Sequence, residues 1–221
     1  MRIRFKPWAR PELEASYFYE DIPENYIGKW KEKFKNSEQP LHIELGCGKG
    51  SFISELAFRN QNINYIAIDL VDAMLGLAKR KVEEKYNENN IKVDNLILVR
   101  YDIERINNII NLKDHVKRIY INFCNPWPKP KHKKKRLTHV KQLEHYKEFL
   151  ESGNEIYFKT DDDGLFKDSL KYFEEAGFEI IKSTFDLHNK DILDGKNIVT
   201  EHEEMFSNEG IKIKALIAKL K

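Results

Sequence analysis

Two rhythms of apolar and polar positions divide this chain near residue 39. Beyond it, short apolar runs alternate with stretches in which apolar residues recur every three or four positions. Leu41-His42-Ile43-Glu44-Leu45 reads as a strand ending in glycines, Ser51 to Arg59 as a helix, and Tyr65-Ile66-Ala67-Ile68 as a second strand ending at Asp69. Asp72 stands where it would cap a helix carrying Met74, Leu77, Ala78 and Val82 on one face. A third strand, Leu96-Ile97-Leu98-Val99, ends near Asp102, and Ile119 to Phe123 is a fourth. Thr138 heads a helix with Leu143, Tyr146 and Leu150, which Gly153 closes. Ile156-Tyr157-Phe158 is a fifth strand, and a helix from about Asp162 carries Leu165, Phe166, Leu170 and Phe173 as far as Gly177. Two more strand-like runs, Phe178 to Ile181 and Ile211 to Ile217, follow with no helical pattern between them. They predict a hairpin-like pair at the sheet edge, with residues 186–209 as a polar insertion.

Strands alternating with helices predict an α/β fold: a doubly wound, mostly parallel seven-stranded sheet with an antiparallel edge strand. Residues 1–38 are irregular and rich in aromatics, among them Trp8, Tyr17, Phe18 and Trp30. Disordered tails are poor in aromatics. This segment therefore reads as an N-terminal arm packed on the domain or on a partner, and residues 39–221 as a single domain.

Composition changes this picture little. The chain is 33% charged but its net charge is only +2, so any polyanion partner must be read from where the charge lies. Cys47 and Cys124 form no Cys-x-x-Cys pair and no cluster with metal-ligand spacing, which predicts reduced thiols, a cytoplasmic protein and no metal. The basic N-terminus has no apolar stretch behind it and no run is long enough to cross a bilayer, so neither a secretory signal nor a membrane span is expected. Monomer and homodimer both stay open.

Ligands of such sheets bind at the carboxyl ends of the strands. The loop there is Glu44-Leu45-Gly46-Cys47-Gly48-Lys49-Gly50. A phosphate-binding P-loop fails, because position 43 is Ile and Gly48-Lys49 is followed by Gly50. A dinucleotide fingerprint fails too, because Ser51 stands where its third glycine would be. Taken alone, the glycines could simply make a tight strand–helix connection. Carboxylates at the ends of three successive strands, Glu44, Asp69 and Asp102, argue against that.

The Gly46-x-Gly48-x-Gly50 spacing with Glu44 ahead of it resembles the first motif of class I S-adenosylmethionine-dependent methyltransferases. The resemblance implies a Rossmann-like fold and S-adenosylmethionine as cofactor. It sets Glu44 near the methionine end, Asp69 on the ribose hydroxyls and Asp102 near the adenine. The physics agrees at Asp69, since a carboxylate accepts two vicinal hydroxyls and disfavours an extra phosphate.

The fourth strand runs into Asn125-Pro126-Trp127-Pro128-Lys129-Pro130-Lys131-His132-Lys133-Lys134-Lys135-Arg136, in which six of the last eight residues are Lys or Arg. A charge run is usually a solvated face. This one follows an aromatic residue in a proline-stiffened loop, which suits phosphate contact and base stacking on RNA. The segment resembles the tRNA (guanine-N7)-methyltransferases, which carry Asp-Pro-Trp-Pro-Lys, then a His and a basic run ending in Arg-Leu. Lys159-Thr160-Asp161, Thr200-Glu201-His202-Glu203 and the N-terminal Arg2-to-Trp8 stretch match the family as well, so the likeness spans nearly the whole chain.

The resemblance implies that Glu44, Gly46, Gly48, Asp69, Asp102 and Asn125 line the cofactor, with Asn125 the candidate catalytic residue. It implies that Lys129, Asp161, Thr200, Glu201, His202 and Glu203 hold the target nucleotide of a tRNA. Asn125 departs from the family's Asp. Structural readings compete: Lys159 ending a strand, Asp161 or Asp162 capping a helix, Glu201, Glu203 and Glu204 in an exposed loop, and His42 and His188 as structural residues. A covalent role for Cys124 has no step to perform at a purine N7. Three other functions compete: methylation of an exocyclic base nitrogen, since Asn125-Pro126-Trp127 partly matches Asn/Asp-Pro-Pro-aromatic; a non-catalytic RNA-binding scaffold; and, disfavoured by the glycine spacing, a dehydrogenase.

Overall fold

In a computed structural model, which describes residues 4–221, the apolar runs become strands. Arg2, at the head of the N-terminal match, lies outside the described residues. The chain divides into two compact units, Met1–His115 and Val116–Lys221.

In the first unit β1 (Tyr19–Glu20), β2 (Leu41–Leu45), β3 (Asn64–Asp69) and β4 (Leu96–Arg100) are parallel, in the order β1-β4-β3-β2. β2 is buried throughout, and β3 is buried except at Asp69, as strands covered on both faces must be. Leu45 pairs with Ile68 and Ile68 with Val99, so the carboxyl ends of β2, β3 and β4 lie level. The α-helices of this unit, among the described residues, are α1 (Ala9–Glu14), α2 (Ser51–Arg59) and α3 (Asp72–Asn87).

Asp72 does not cap α3. It is the first helical residue, and its carboxylate pairs with Arg100 at 2.9 Å. The buried face is Ala73, Leu75, Gly76, Ala78, Val82 and Tyr86, with Met74 and Leu77 only half-buried. The reason is that α1 and α2 both pack on α3. A Cβ at Gly76 would stand 2.8 Å from Ala9 Cβ, and one at Gly50 2.7 Å from Ala78 Cβ, so small residues occupy the crossings. The aromatic arm is part of this unit. Phe18 accepts the Leu98 N–H of β4 at 2.8 Å, and the wholly buried Trp30 donates its indole N–H to Ile109 O at 2.7 Å. The Asp114 carboxylate accepts the backbone N–H groups of Gly28, Trp30 and Asn111.

The second unit contains β5 (Val116–Asn122), β6 (Leu150–Thr160), β7 (Phe178–Thr184) and β8 (Lys214–Leu220), in the order β5-β6-β8-β7. β5 and β6 are parallel, and β8 runs antiparallel to both β6 and β7. The expected hairpin-like pair is there, with the reversed strand β8 inside and β7 at the edge. Helices α4 (Val140–Lys147), α5 (Asp163–Glu175) and α6 (Glu201–Asn208) complete the unit.

Three local expectations fail here. His139, not Thr138, caps α4, while Thr138 Oγ1 lies 2.7 Å from Ser169 Oγ in the interior. Gly153 does not close a helix: β6 has already begun at Leu150, and Gly153 sits inside it at φ 85°. Residues 186–209 are not simply polar. Leu187 and Ile192 form a small core with Ile213 and Ala215, and α6 follows. That helix is polar on nearly every side, so its apolar period is too weak to see. Asp162 does cap α5, accepting the Leu165 N–H at 2.6 Å, and Gly177 ends it at φ 83°. An eighth strand, β1, has only two residues and leaves no pattern in the sequence. No helix among the described residues is long and apolar enough to cross a membrane.

Candidate active site

In the first unit the glycine turn joins β2 to α2. Gly46 (φ 80°), Gly48 (φ 54°) and Gly50 (φ 77°) all take left-handed backbone, which favours glycine. Gly46 and Cys47 donate their N–H groups to Ile68 O, at 2.9 and 3.0 Å, hanging the turn from the end of β3. Asp69 holds it from the other side. Its Oδ2 accepts the Gly48 N–H and its Oδ1 the Val71 N–H, each at 3.0 Å. Burial raises the Asp69 carboxyl above its ordinary value, and the N–H groups of Val71, Gly48 and Leu70 only partly oppose it. Each oxygen keeps a second lone pair. Glu44, 2% exposed, precedes the turn, and a Cβ at Gly48 would meet nothing within 4 Å, so the turn is open at Gly48. Asp102 follows β4 and caps a 3-10 turn over Ile103–Asn108, its Oδ1 accepting the Glu104 N–H at 3.0 Å. The Cys47 thiol is pushed up by burial and by the charges of Asp69 and Glu44, so it stays protonated.

In the second unit β5 ends at Asn122, and the chain turns at Phe123 (φ 50°) and again at Trp127 (φ 40°). Left-handed backbone is costly for bulky side chains and persists where the surroundings enforce it. Exposed Asn125 supplies part of that enforcement: its Oδ1 accepts the Trp127 N–H at 3.1 Å. The basic run is a 3-10 turn over Pro130–Lys135, headed by exposed Lys129. Its cations are not equivalent. Arg136 is 3% exposed and bonds Pro126 O at 2.7 Å and Asp168 at 2.6 Å, while Lys133 also reaches Asp168 at 2.6 Å. Lys131, Lys134 and Lys135 are exposed, Lys135 lying 5.4 Å from the centre of the Trp127 ring. His132 lies 5.6 Å from the same ring. Burial pushes the Cys124 thiol up to about 12, which leaves no thiolate for covalent chemistry.

At the end of β6, Lys159-Thr160-Asp161 divides its labour. Asp162 is the cap, so Asp161 is left half-buried at the strand end, its carboxyl raised by burial and by Asp162 and lowered by Lys214 and His202. Thr200 caps α6, accepting the Glu203 N–H at 3.2 Å, and Glu201 and His202 are exposed on its first turn. The His202 ring stacks on Phe123 at 6.3 Å. Glu203 is different: it is fully buried, with Oε2 on Lys159 Nζ at 2.7 Å and Oε1 on Asn197 and His188 at 2.7 and 2.9 Å. Lys159, Asn197 and Phe123 were not among the expected site residues. Lys159 carried a signal, a lysine ending a strand of buried apolar residues.

The family described as "Putative methyltransferase" matches residues 38–216. A protein of Ruminiclostridium cellulolyticum named tRNA (guanine-N(7)-)-methyltransferase is 60% identical, covering 100% of this chain and 93% of that protein. One of Clostridium beijerinckii with the same name is 60% identical over 99% of this chain and 98% of its own. Among solved structures, the 16S rRNA methyltransferase KamB superposes with a TM-score of 0.57 at 12% identity, covering 99% of this chain and 95% of its own. That distant likeness shows the fold, a mostly parallel Rossmann-like methyltransferase sheet. With most of its length matched and relatives this similar from end to end, the chain belongs to the tRNA (guanine-N7)-methyltransferase family.

Proposed function

We propose that this chain transfers a methyl group from S-adenosylmethionine to N7 of a guanine in the variable loop of tRNA. The observation that carries this reading is that Glu44, Asp69 and Asp102 stand at or just past the level ends of β2, β3 and β4, with a glycine turn after β2 that is open at Gly48. These residues fit the donor. Asp69 has lone pairs left for two ribose hydroxyls, Gly46 and Gly48 would let the backbone approach closely, Glu44 would hold the amino acid end, and Asp102 would approach the adenine. When bound, S-adenosylmethionine supplies an electrophilic methyl group on a cationic sulfur. Lys129, Asp161, Thr200, Glu201 and His202 hold the target nucleotide, and Trp127 with exposed Lys131, Lys134 and Lys135 meets the RNA.

Guanine N7 has an in-plane lone pair and loses no proton, so the protein's task is alignment rather than base catalysis. Positive charge moves onto the purine, where nearby carboxylates stabilise it. N7 lies in the deep groove of A-form RNA, so the base must come from irregular structure. The N-terminal arm, residues 1–38, the methyltransferase domain, residues 39–221, and a cytoplasmic location belong to this reading.

Incubation with labelled donor and unmodified tRNA, followed by nucleoside analysis, tests it. N7-methylguanine makes the RNA cleavable after borohydride and aniline. Methyl label without that cleavage would favour an exocyclic nitrogen, and absence of both label and donor binding a non-catalytic RNA-binding scaffold.

A further inference from the structure

Lys159 sits on β6 opposite Asn122 of β5 and Ala215 of β8, so its backbone is fixed from both sides. Its carbonyl accepts the Phe123 N–H at 2.9 Å, at the point where the Asn125 loop departs. Its ammonium is 4% exposed as a residue and donates to Asn197 Oδ1 and Ile198 O, each at 2.9 Å, and to Glu203 Oε2 at 2.7 Å. An ammonium has three N–H groups, and the segment that bears Thr200–Glu203 offers it three acceptors. Glu203 answers from a wholly buried position, with both oxygens engaged by Lys159, Asn197 and His188. Burial by itself would raise its carboxyl; the Lys159 charge and these hydrogen bonds outweigh that and hold it below the usual range.

We propose that Lys159 is a positioning residue: with Glu203 it forms a buried latch that orders residues 188–203 and presents Thr200, Glu201 and His202, and Glu203 itself does not touch the target nucleotide. This rests on the reading of the site given above. A loop of this length with so small a core of its own is ordered only if something rigid holds it. The latch ties it to a central strand, at the same residue that starts the Asn125 loop. One side chain thus sets the conformation of the α6 segment, and its own backbone sets the root of the loop.

The experiment compares wild type with Lys159→Met, Glu203→Leu and the double variant, using hydrogen exchange of residues 186–209, calorimetry with S-adenosylmethionine, and steady-state kinetics on tRNA. Each single variant strands a buried charge, so exchange in that segment and the KM for tRNA both rise by about tenfold or more, while donor affinity stays within about twofold. The double variant, an apolar pair in the same space, recovers both. Unchanged exchange in Lys159→Met overturns the latch. A double variant with restored protection but a KM as high as Glu203→Leu overturns the second half, because Glu203 then contacts the nucleotide. Should Lys159→Met not fold, Glu203→Gln keeps the shape and weakens the charge, and the same two readouts apply. A wild type that leaves tRNA unmethylated defeats the functional reading alone, since exchange still decides the latch.

Discussion

Asn125 stands where the resemblance implies an Asp, and the geometry says what that exchange costs. The side-chain oxygen braces the left-handed Trp127 by accepting its N–H, and an Asp oxygen would do the same. The exchange therefore preserves the turn and removes only a negative charge. Since N7 needs no deprotonation, we expect Asn125→Asp to keep or raise the single-turnover rate at saturating donor and tRNA. Asn125→Ala loses the brace and should slow it by at least about tenfold, or ~1.4 kcal/mol of barrier; a wild-type rate in that variant would remove Asn125 from the site. Asp69 makes the complementary case. Asp69→Ala should weaken donor binding and leave tRNA affinity nearly intact, and equal loss of both in a folded protein would defeat the assignment. Binding two hydroxyls requires the ionised form, and burial raises this carboxyl above its ordinary 3.8. If Asp69 holds the ribose, donor affinity should fall on acidification, beginning at a pH above that of an exposed aspartate. Calorimetry across pH reads the sign directly.

At the scale of elements, the basic turn after β5 divides into two kinds of cation. Lys133 and buried Arg136 converge on Asp168 and hold the turn to α5, while Lys131, Lys134 and Lys135 face solvent. Replacing the exposed three by Gln should lower tRNA affinity and flatten its salt dependence, by roughly 0.7–0.9 in logarithmic slope per lost phosphate contact. Lys133→Gln should leave the slope nearly unchanged. A slope indifferent to the triple change would make the run a solvated face. The Lys159–Glu203 pair belongs to this scale too, because stranding one buried charge typically costs about 3–5 kcal/mol while replacing both is near neutral.

For the molecule as a whole, the aromatic arm is structural. α1 seats Ala9 and Trp8 over Gly76, Arg80 lies 3.5 Å from the centre of the Trp8 ring, and β1 borders β4. Leu13 and Phe18 are buried, and burying one such side chain contributes about 1.5–3 kcal/mol. Removing the first 21 residues should lower the thermal midpoint, by about 2–4 °C for each kcal/mol lost. A tail that merely trailed from the domain would leave the midpoint unchanged.

The sequence by itself determined the strand–helix alternation, the glycine turn with its three acids, and the Pro-Trp-Pro-Lys loop. Each is written in consecutive residues: a period, a spacing or a block. Tertiary structure alone decided the rest. The two-residue β1 exists only because β4 offers it a partner, and the buried face of α3 shifted toward small residues because two helices crowd it. Likewise α6, polar nearly all round, is held by a lysine more than forty residues away in the chain, and Arg136 left the basic run for the interior because Asp168 awaited it there. In each case the deciding partner is distant in sequence, and neither period nor composition records a contact that only folding creates.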